Sequence, residues 1–438
     1  MSARNVAPRL RPLAPGKSVI LSVLDIGTSK VACLIARLTP ADSAAATGRR
    51  THTATVLGIG HQRSRGIKGG VVVDMQEANS AIRMAVDAAE RMAGVQVESV
   101  IVNVTGGRLA SQLYSAKVSV GGRAVAGSDI QRVLEAAAAA SLRQGRAVLH
   151  ALPNGFCLDN ASGIQDPKGM IGDELSAQMH VVSSDGAAVR NLMLAIEQAH
   201  LVIDAVVSTP YAAGLAILVD DEAEMGAAVV DMGGGTTSVG VFSGGNLVHS
   251  DAFAVGGNHV TLDLARGLTA RLSDAERLKT MHGSCLLATS DERETVTVPM
   301  VGEEGEHPNY IPKNQLNKII RPRVEEILEL VRDRLKAAGF ASHAGRRLVL
   351  TGGASQLTGL PELARAMISS HVRIGRPMGV MGLPESARSP AFAAAAGLLI
   401  YPQVAGVEHF EPRRHMAAQG TGTDGYIARV GRWLKDSF

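Results

Sequence analysis

Two stretches far apart in this chain share one local plan, and that repetition limits the possible folds more than any other feature. The first reads Asp25-Ile26-Gly27-Thr28-Ser29-Lys30 and the second Asp231-Met232-Gly233-Gly234-Gly235-Thr236-Thr237. Each follows an apolar run, residues 19–24 and 227–230, and each leads into another, residues 31–38 and 239–242. Strand, Asp-x-Gly turn, strand, twice over, predicts a duplicated phosphate clamp. Glycines let backbone N–H groups come close to phosphate oxygens, and Thr28, Thr236 and Thr237 add hydroxyl donors. Asp25 and Asp231, at the strand ends, are placed to hold a hydrated Mg²⁺. A single Asp-Gly turn is common and says little; two in register say much more.

A third motif supports the pair. Leu350-Thr351-Gly352-Gly353-Ala354-Ser355 ends another apolar strand, residues 346–350. Two glycines there let backbone lie flat against an adenine, with no side chain intruding. Glu276 and Lys279 stand one helical turn apart and can reach ribose hydroxyls together. Taken alone, Gly352-Gly353 is an ordinary turn and Glu276 with Lys279 a solvated pair. Their order, after two phosphate turns, makes them candidates for the nucleoside end of one site.

Composition excludes several alternatives. The 438 residues allow two to four domains or subdomains, and 46% hydrophobic with 19% charged residues describes an ordinary globular chain. A net charge of +3 and only 3% aromatics argue against nucleic acid as a partner. Cys33, Cys157 and Cys285 form no metal-ligand spacing and read as small apolar residues of a reducing compartment. The longest apolar run, residues 391–401, falls short of the ~20 residues that span a bilayer. Residues 1–17 carry Arg4, Arg9 and Arg11 without an apolar core, which predicts a disordered basic arm and not an export signal.

Periodicity predicts a three-stranded meander over residues 18–60. An amphipathic helix follows over 77–93, with Ala81, Met84, Ala85, Ala88 and Met92 on its inner face. A helix over 129–143 is expected to be capped by Ser128. Another covers 312–338, with Pro322 as a break or restart. Residues 402–424 lack periodicity and read as a flexible linker.

The motif order resembles the actin, hexokinase and heat-shock chaperone ATPase superfamily. Within it, the chain resembles the FtsA family of bacterial cell-division proteins. The residues that carry this are Gly69-Gly70-Val71-Val72-Val73-Asp74, Ser208-Thr209-Pro210-Tyr211-Ala212-Ala213-Gly214, the segment 221–226 and, most specifically, Asp166-Pro167-Lys168-Gly169-Met170-Ile171-Gly172. A departure is Thr105-Gly106-Gly107-Arg108-Leu109, where the family leads one to expect Ser-Gly-x-His-Ile.

The resemblance implies an α/β, two-lobed actin-like ATPase fold: duplicated ribonuclease-H-like halves with a small inserted α+β subdomain. The corresponding boundaries are 18–97 with 181–222 for the first large subdomain, and 98–180 for the insert. The second large subdomain takes 223–258 with 339–401, and its small companion 259–338. By the same resemblance Gly27, Thr28, Ser29 and Lys30 line the first phosphate loop, and Gly233, Gly234, Gly235, Thr236 and Thr237 the second. Gly257 and Asn258 open a helix near the phosphates, Glu276 and Lys279 meet the ribose, and Gly352, Gly353 and Ser355 the adenosine. Asp25 and Asp231 hold Mg²⁺ through water. Segment 208–214 contains no Gln or Glu to position a water. Slow or absent turnover is therefore expected, with ATP mainly a structural and switching ligand.

Residues 425–438 read GYIARVGRWLKDSF. At ~100° per residue, Ile427, Val430, Leu434 and Phe438 share one side, flanked by Tyr426 and the chain's one tryptophan, Trp433. Arg429 and Arg432 face away and Lys435 takes the other shoulder. That is the pattern of a helix lying in a membrane surface. Each basic residue near an anionic leaflet contributes ~1 kcal/mol, so one tail is a weak anchor and many tails on a polymer a firm one. The expected protein binds ATP, associates with itself, tethers FtsZ to anionic lipid of the cytoplasmic membrane and recruits later division proteins. By analogy the FtsZ contact lies near residues 314–335. The rivals are a small-molecule kinase and a pilus-assembly adaptor of the same superfamily.

Overall fold

The computed structural model describes residues 7, 8, 10, 13, 16–41, 50–141, 143–299, 309–340 and 347–408. The expected amphipathic helix at 425–438, and the linker beyond Glu408, lie outside the described residues.

Two five-stranded arrangements repeat each other. In the first, Val19–Ile26, Lys30–Pro40 and His52–Arg63 form an antiparallel meander. Ser99–Val104 joins parallel on the far side of Val19–Ile26, and Val202–Ser208 joins parallel beyond it. In the second, Ala227–Met232, Thr237–Ser243 and Asn246–Phe253 form the meander. Arg347–Thr351 and His371–Ile374 then add in parallel in the same order. Even the register repeats: Asp25 pairs with Ala32 across its hairpin and Asp231 with Ser238. Residues 31–36 are fully buried, as a strand covered on both faces requires.

Helix Met75–Ala93 starts on Asp74, whose carboxylate accepts from the N–H groups of Gln76 and Glu77 at 3.0 Å. Its inner face is Ala78, Ala81, Ile82, Ala85, Val86 and Ala89. Met84 and Met92, expected inside, are exposed. The sheet beneath explains this. A Cβ on Gly60 would lie 2.0 Å from the Ala85 carbonyl oxygen, and one on Gly58 would lie 2.3 Å from that of Ala89. Helix and strand touch backbone to backbone, so only small residues fit between them.

Strands Ala110–Ala124, Ile171–Asp185, Arg146–Leu158 and Ala161–Ile164 form the insert's sheet. With helix Gly127–Ala140 they enclose a separate core around Val133, Leu175 and Met179. Ser128 lies inside that helix and is not its cap. Asp129 instead reaches back to the Ala126 N–H at 2.9 Å and is held by Arg123 and Arg132. Helix Lys313–Ala337 runs unbroken through Pro322. The buried row Leu316, Ile320, Val324, Ile327, Val331 and Leu335 outweighs the one hydrogen bond that proline removes.

The chain finally returns to the first half. Helix Ala393–Ile400 packs on helix Thr209–Ile217, so closely that a Cβ on Gly397 would lie 1.7 Å from the Ala212 carbonyl oxygen. Residues 402–408, expected as the start of a loose linker, continue in contact with the fold: Pro402 and Val404 are buried, and the Gln403 Oε1 accepts from the His52 N–H at 3.0 Å. Among the described residues of the basic arm, the buried Ala7 donates its N–H to the Val148 carbonyl at 3.2 Å, and Leu10 and Leu13 pack against the core of the first half.

Candidate functional site

Both Asp-x-Gly turns close with the same hydrogen bond. The Gly27 N–H donates to the Lys30 carbonyl at 2.9 Å, and the Gly233 N–H to the Thr236 carbonyl at 2.8 Å. Lys30 and Thr236 thus occupy equivalent places in the two halves. Between the turns lies a cavity of about 600 Å³, within the usual size of a small-molecule site.

One wall is Asp25, Gly27, Thr28, Ser29 and Lys30; the other is Asp231, Gly233, Gly234 and Thr236. Gly257, Asn258, Glu276, Lys279, Gly352 and Gly353 complete it. The two turns interdigitate. A Cβ on Gly234 would lie 1.9 Å from the Ser29 Oγ, so the bare backbone there makes room for the opposite turn. The Ser29 hydroxyl in turn donates to the Asn258 Oδ1 at 3.2 Å. Gly352 combines a left-handed φ of 83° with a Cβ position 2.3 Å from the Asp231 Oδ1, so any side chain would be strained and would strike the carboxylate.

Three of the expected residues stand back from this cavity. The Thr237 hydroxyl is buried and donates to the Val255 carbonyl at 2.8 Å. Ser355 is buried and donates to the Gly352 carbonyl at 2.7 Å, which shapes the glycine turn from behind. Gly235 lies under Thr28, against a neighbouring cavity.

Other residues at the site were not anticipated. Asn103 is buried in strand Ser99–Val104. Its Oδ1 accepts from the Ile26 N–H at 2.7 Å, while its Nδ2 donates to the Asp25 Oδ1 at 2.8 Å and the Thr209 Oγ1 at 3.1 Å. The Thr209 and Thr105 hydroxyls are also hydrogen-bonded. Asn103, Thr105 and Thr209 form a polar wall behind Asp25. A single polar residue inside the run Val-Ile-Val-Asn-Val is a signal that could have marked Asn103. At the far end, Val260, Val324, Ile327, Leu357 and Leu360 supply an apolar lining suited to a flat base.

The charges are unevenly distributed. The Asp25 Oδ2 accepts from the Lys30 Nζ at 2.8 Å. Burial, and then the nearby charge of Asp25, push the Asp231 carboxyl up to about 7, with Lys30 pulling the other way. Two carboxylates sharing one lysine at the mouth of a cavity fit a hydrated divalent cation. Among the described residues no three His, Cys, Asp or Glu side chains cluster closely enough to hold a metal by themselves. A cation here would therefore draw its remaining oxygens from water and phosphate, as Mg²⁺ commonly does. On the opposite rim Lys279 is fully engaged, donating to the Glu276 Oε2 at 2.7 Å, the Thr261 Oγ1 at 2.8 Å and the Gly257 carbonyl at 3.1 Å. Glu276 is half exposed.

Similarity to other proteins agrees with this geometry. A family model described as "Cell division protein FtsA" matches residues 228–397, and one described as "SHS2 domain inserted in FTSA" matches 106–183. The chain is 53% identical over 432 residues to the cell division protein FtsA of Agrobacterium fabrum, covering 98% of both chains. It is 32% identical to that of Escherichia coli K12, covering 95% of this chain and 97% of the relative. Among solved structures, the PilM-PilN type IV pilus biogenesis complex matches with a TM-score of 0.60 at 17% identity, covering 88% of this chain and 99% of that one. MreB5 of Spiroplasma citri bound to ADP matches with a TM-score of 0.51 at 13% identity, covering 89% and 98%. These last two likenesses speak to the fold, which is actin-like. Duplicated halves, an inserted subdomain and full-length relatives agree: the chain belongs to the FtsA family of cell division proteins.

Proposed function

We propose that this protein is an ATP-binding tether that joins the FtsZ ring to the cytoplasmic membrane. The observation that carries the reading is the cavity between the halves, lined by both Asp-x-Gly turns. ATP·Mg²⁺ would lie with its phosphates between the turns. Asp25 and Asp231 would hold the metal through water, and the glycine turn at Gly352 and the apolar end would take the adenine. Lys279 would brace Glu276 toward the ribose. The backbone N–H groups of the two glycine turns and Lys30, on facing walls of the cavity, would hold a triphosphate between them, so its binding would link the two halves. Thr209 lines the cavity and segment 208–214 carries no Gln or Glu to position a water, which supports at most weak hydrolysis.

Among the described residues no helix is long and apolar enough to cross a membrane. Residues 425–438 would instead lie in the lipid surface, where self-association multiplies weak anchors into a firm one. The division protein FtsZ and later division proteins are the partners that family membership supports, with anionic lipid as the surface.

Sedimentation with anionic liposomes tests the tether. Full-length protein with ATP should pellet and should carry FtsZ with it; protein lacking residues 425–438 should leave both in the supernatant. If the full-length chain also stays in the supernatant, the anchor is wrong. Phosphorylation of a sugar by the pure protein would favour the kinase rival.

A further inference from the structure

Behind the nucleotide cavity, a line of contacts leads to Glu408. Glu408 has a side chain only 1% exposed, against the fully buried His150. The His150 Nδ1 lies 3.0 Å and 3.2 Å from the two carboxylate oxygens. The Nε2 of the same ring accepts from the Ser208 N–H at 2.8 Å. A nitrogen that accepts carries no proton, so the proton of this imidazole sits on Nδ1 and is donated to Glu408. The contact is a hydrogen bond from a neutral histidine to a carboxylate. It fixes the tautomer much as a carboxylate does for a metal-bound or catalytic histidine.

Ser208 is followed by Thr209, and here the line reaches the site. Thr209 bonds Asn103 and Thr105, and Asn103 bonds Asp25. Every side chain on this path is buried or nearly so: Asn103 is 2% exposed, Thr209 4% and Asp25 6%. Around the ring, Tyr211 packs edge-on at 4.9 Å between centroids and Tyr401 at 6.0 Å. His150 therefore touches three things that belong to different parts of the molecule: the insert's strand it sits on, the segment that enters the nucleotide cavity, and the root of the C-terminal tail.

We infer that His150 and Glu408 are positioning residues for the nucleotide site, coupling occupancy at Asp25 to the docking of residues 401–408. This rests on the reading of the cavity as an ATP site. The Ser208 N–H stands one peptide from the Thr209 hydroxyl. A shift of Thr209 that follows Asp25 and Asn103 when a cation or phosphate arrives moves the donor on which His150 depends. Conversely, when Glu408 leaves, the Nδ1–H loses its acceptor in a buried place, which is costly. The ring is then free to turn and release Ser208. Linkage requires the effect to be reciprocal: whatever tightens ATP by docking the root must dock the root when ATP binds.

The test uses the full chain and two readouts, affinity for ATP·Mg²⁺ and hydrogen–deuterium exchange across residues 401–408. In the unmodified protein ATP should slow exchange in that segment. Glu408→Leu and His150→Phe should weaken ATP by about fivefold, the low end of typical couplings, and abolish the ATP effect on exchange. Glu408→Gln keeps an oxygen acceptor for Nδ1–H and should restore most of both. If the unmodified protein binds ATP but exchange at 401–408 ignores it, the coupling is overturned while the nucleotide reading stands. That comparison needs no variant, so misfolding of Glu408→Leu would not obscure it. If the unmodified protein does not bind ATP, the nucleotide reading itself fails. A fivefold loss in Glu408→Gln equal to that in Glu408→Leu would also overturn the assignment, since the acceptor would then be irrelevant.

Discussion

The two Asp-x-Gly turns have the same backbone and different chemistry. Each closes with a Gly N–H donated three residues on, and each Asp occupies the same place in its hairpin register. Yet the first turn ends in Lys30, which pairs with its own Asp25, while the second ends in Thr236. Asp25 also has the Asn103 amide. Asp231 is pressed against Gly352 and raised to about 7. Duplication therefore produced one wall whose carboxylate is directly paired with a lysine and an amide, and one whose carboxylate feels Lys30 only through space.

The comparison can be broken most severely at Gly352. Gly352→Ala places a Cβ against Asp231 and the Met232 carbonyl in a left-handed backbone and should weaken ATP by more than about tenfold, given ~1–2 kcal/mol for the backbone alone. Titration calorimetry reads this directly. Next in size is the contrast between the equivalent positions. Lys30→Met removes the cation from Asp25 and should cost roughly tenfold in ATP affinity, on the order of one charge-assisted bond. Thr236→Ala should cost only about twofold to threefold. Equal losses would mean that the walls are not specialised.

Acidity sharpens the same contrast. The Asp231 carboxyl is raised from 3.8 to about 7 in the folded state, so the native protein holds a proton that the unfolded chain gives up. Stability from this group is present below its unfolded value and is lost as pH rises through about 7. Without ligand, Asp231→Asn should raise the melting temperature at pH 8 and change it little at pH 4. ATP·Mg²⁺ binding near pH 7 should release a proton, seen as a dependence of the binding heat on buffer ionisation enthalpy. Chelating Mg²⁺ should suppress that release. The smallest effect is expected at Ser355, whose hydroxyl supports the Gly352 carbonyl from behind. Ser355→Ala should cost about 1 kcal/mol of stability and leave ATP affinity nearly unchanged, whereas a true adenosine contact would show the reverse.

Much of this site was legible before the structure because its parts are local. Glycines beside an Asp at the end of an apolar run are adjacent in sequence, and a turn needs little more than adjacency. The inner face of helix Met75–Ala93 is not legible from hydropathy, because Met84 and Met92 are strongly apolar while the close approach of Gly58 and Gly60 demands alanine. Pro322 does not break its helix, because local propensity yields to a buried row of side chains. Thr237 and Ser355 adjoin the glycine turns in sequence yet stand back from the cavity, because which way a hydroxyl turns is decided by the carbonyl it finds.

By itself, then, the order of residues determined the two turns, the strands that carry them and the membership of a family. Period, glycine placement and motif order act over a few residues and survive without a partner. Only the tertiary structure decided that Asn103 would stand behind Asp25, that Thr236 would mirror Lys30, and that His150 would meet Glu408 across 258 positions of chain. Those contacts depend on how two sheets and a returning helix pack, and packing is satisfied by many residues that no short stretch contains.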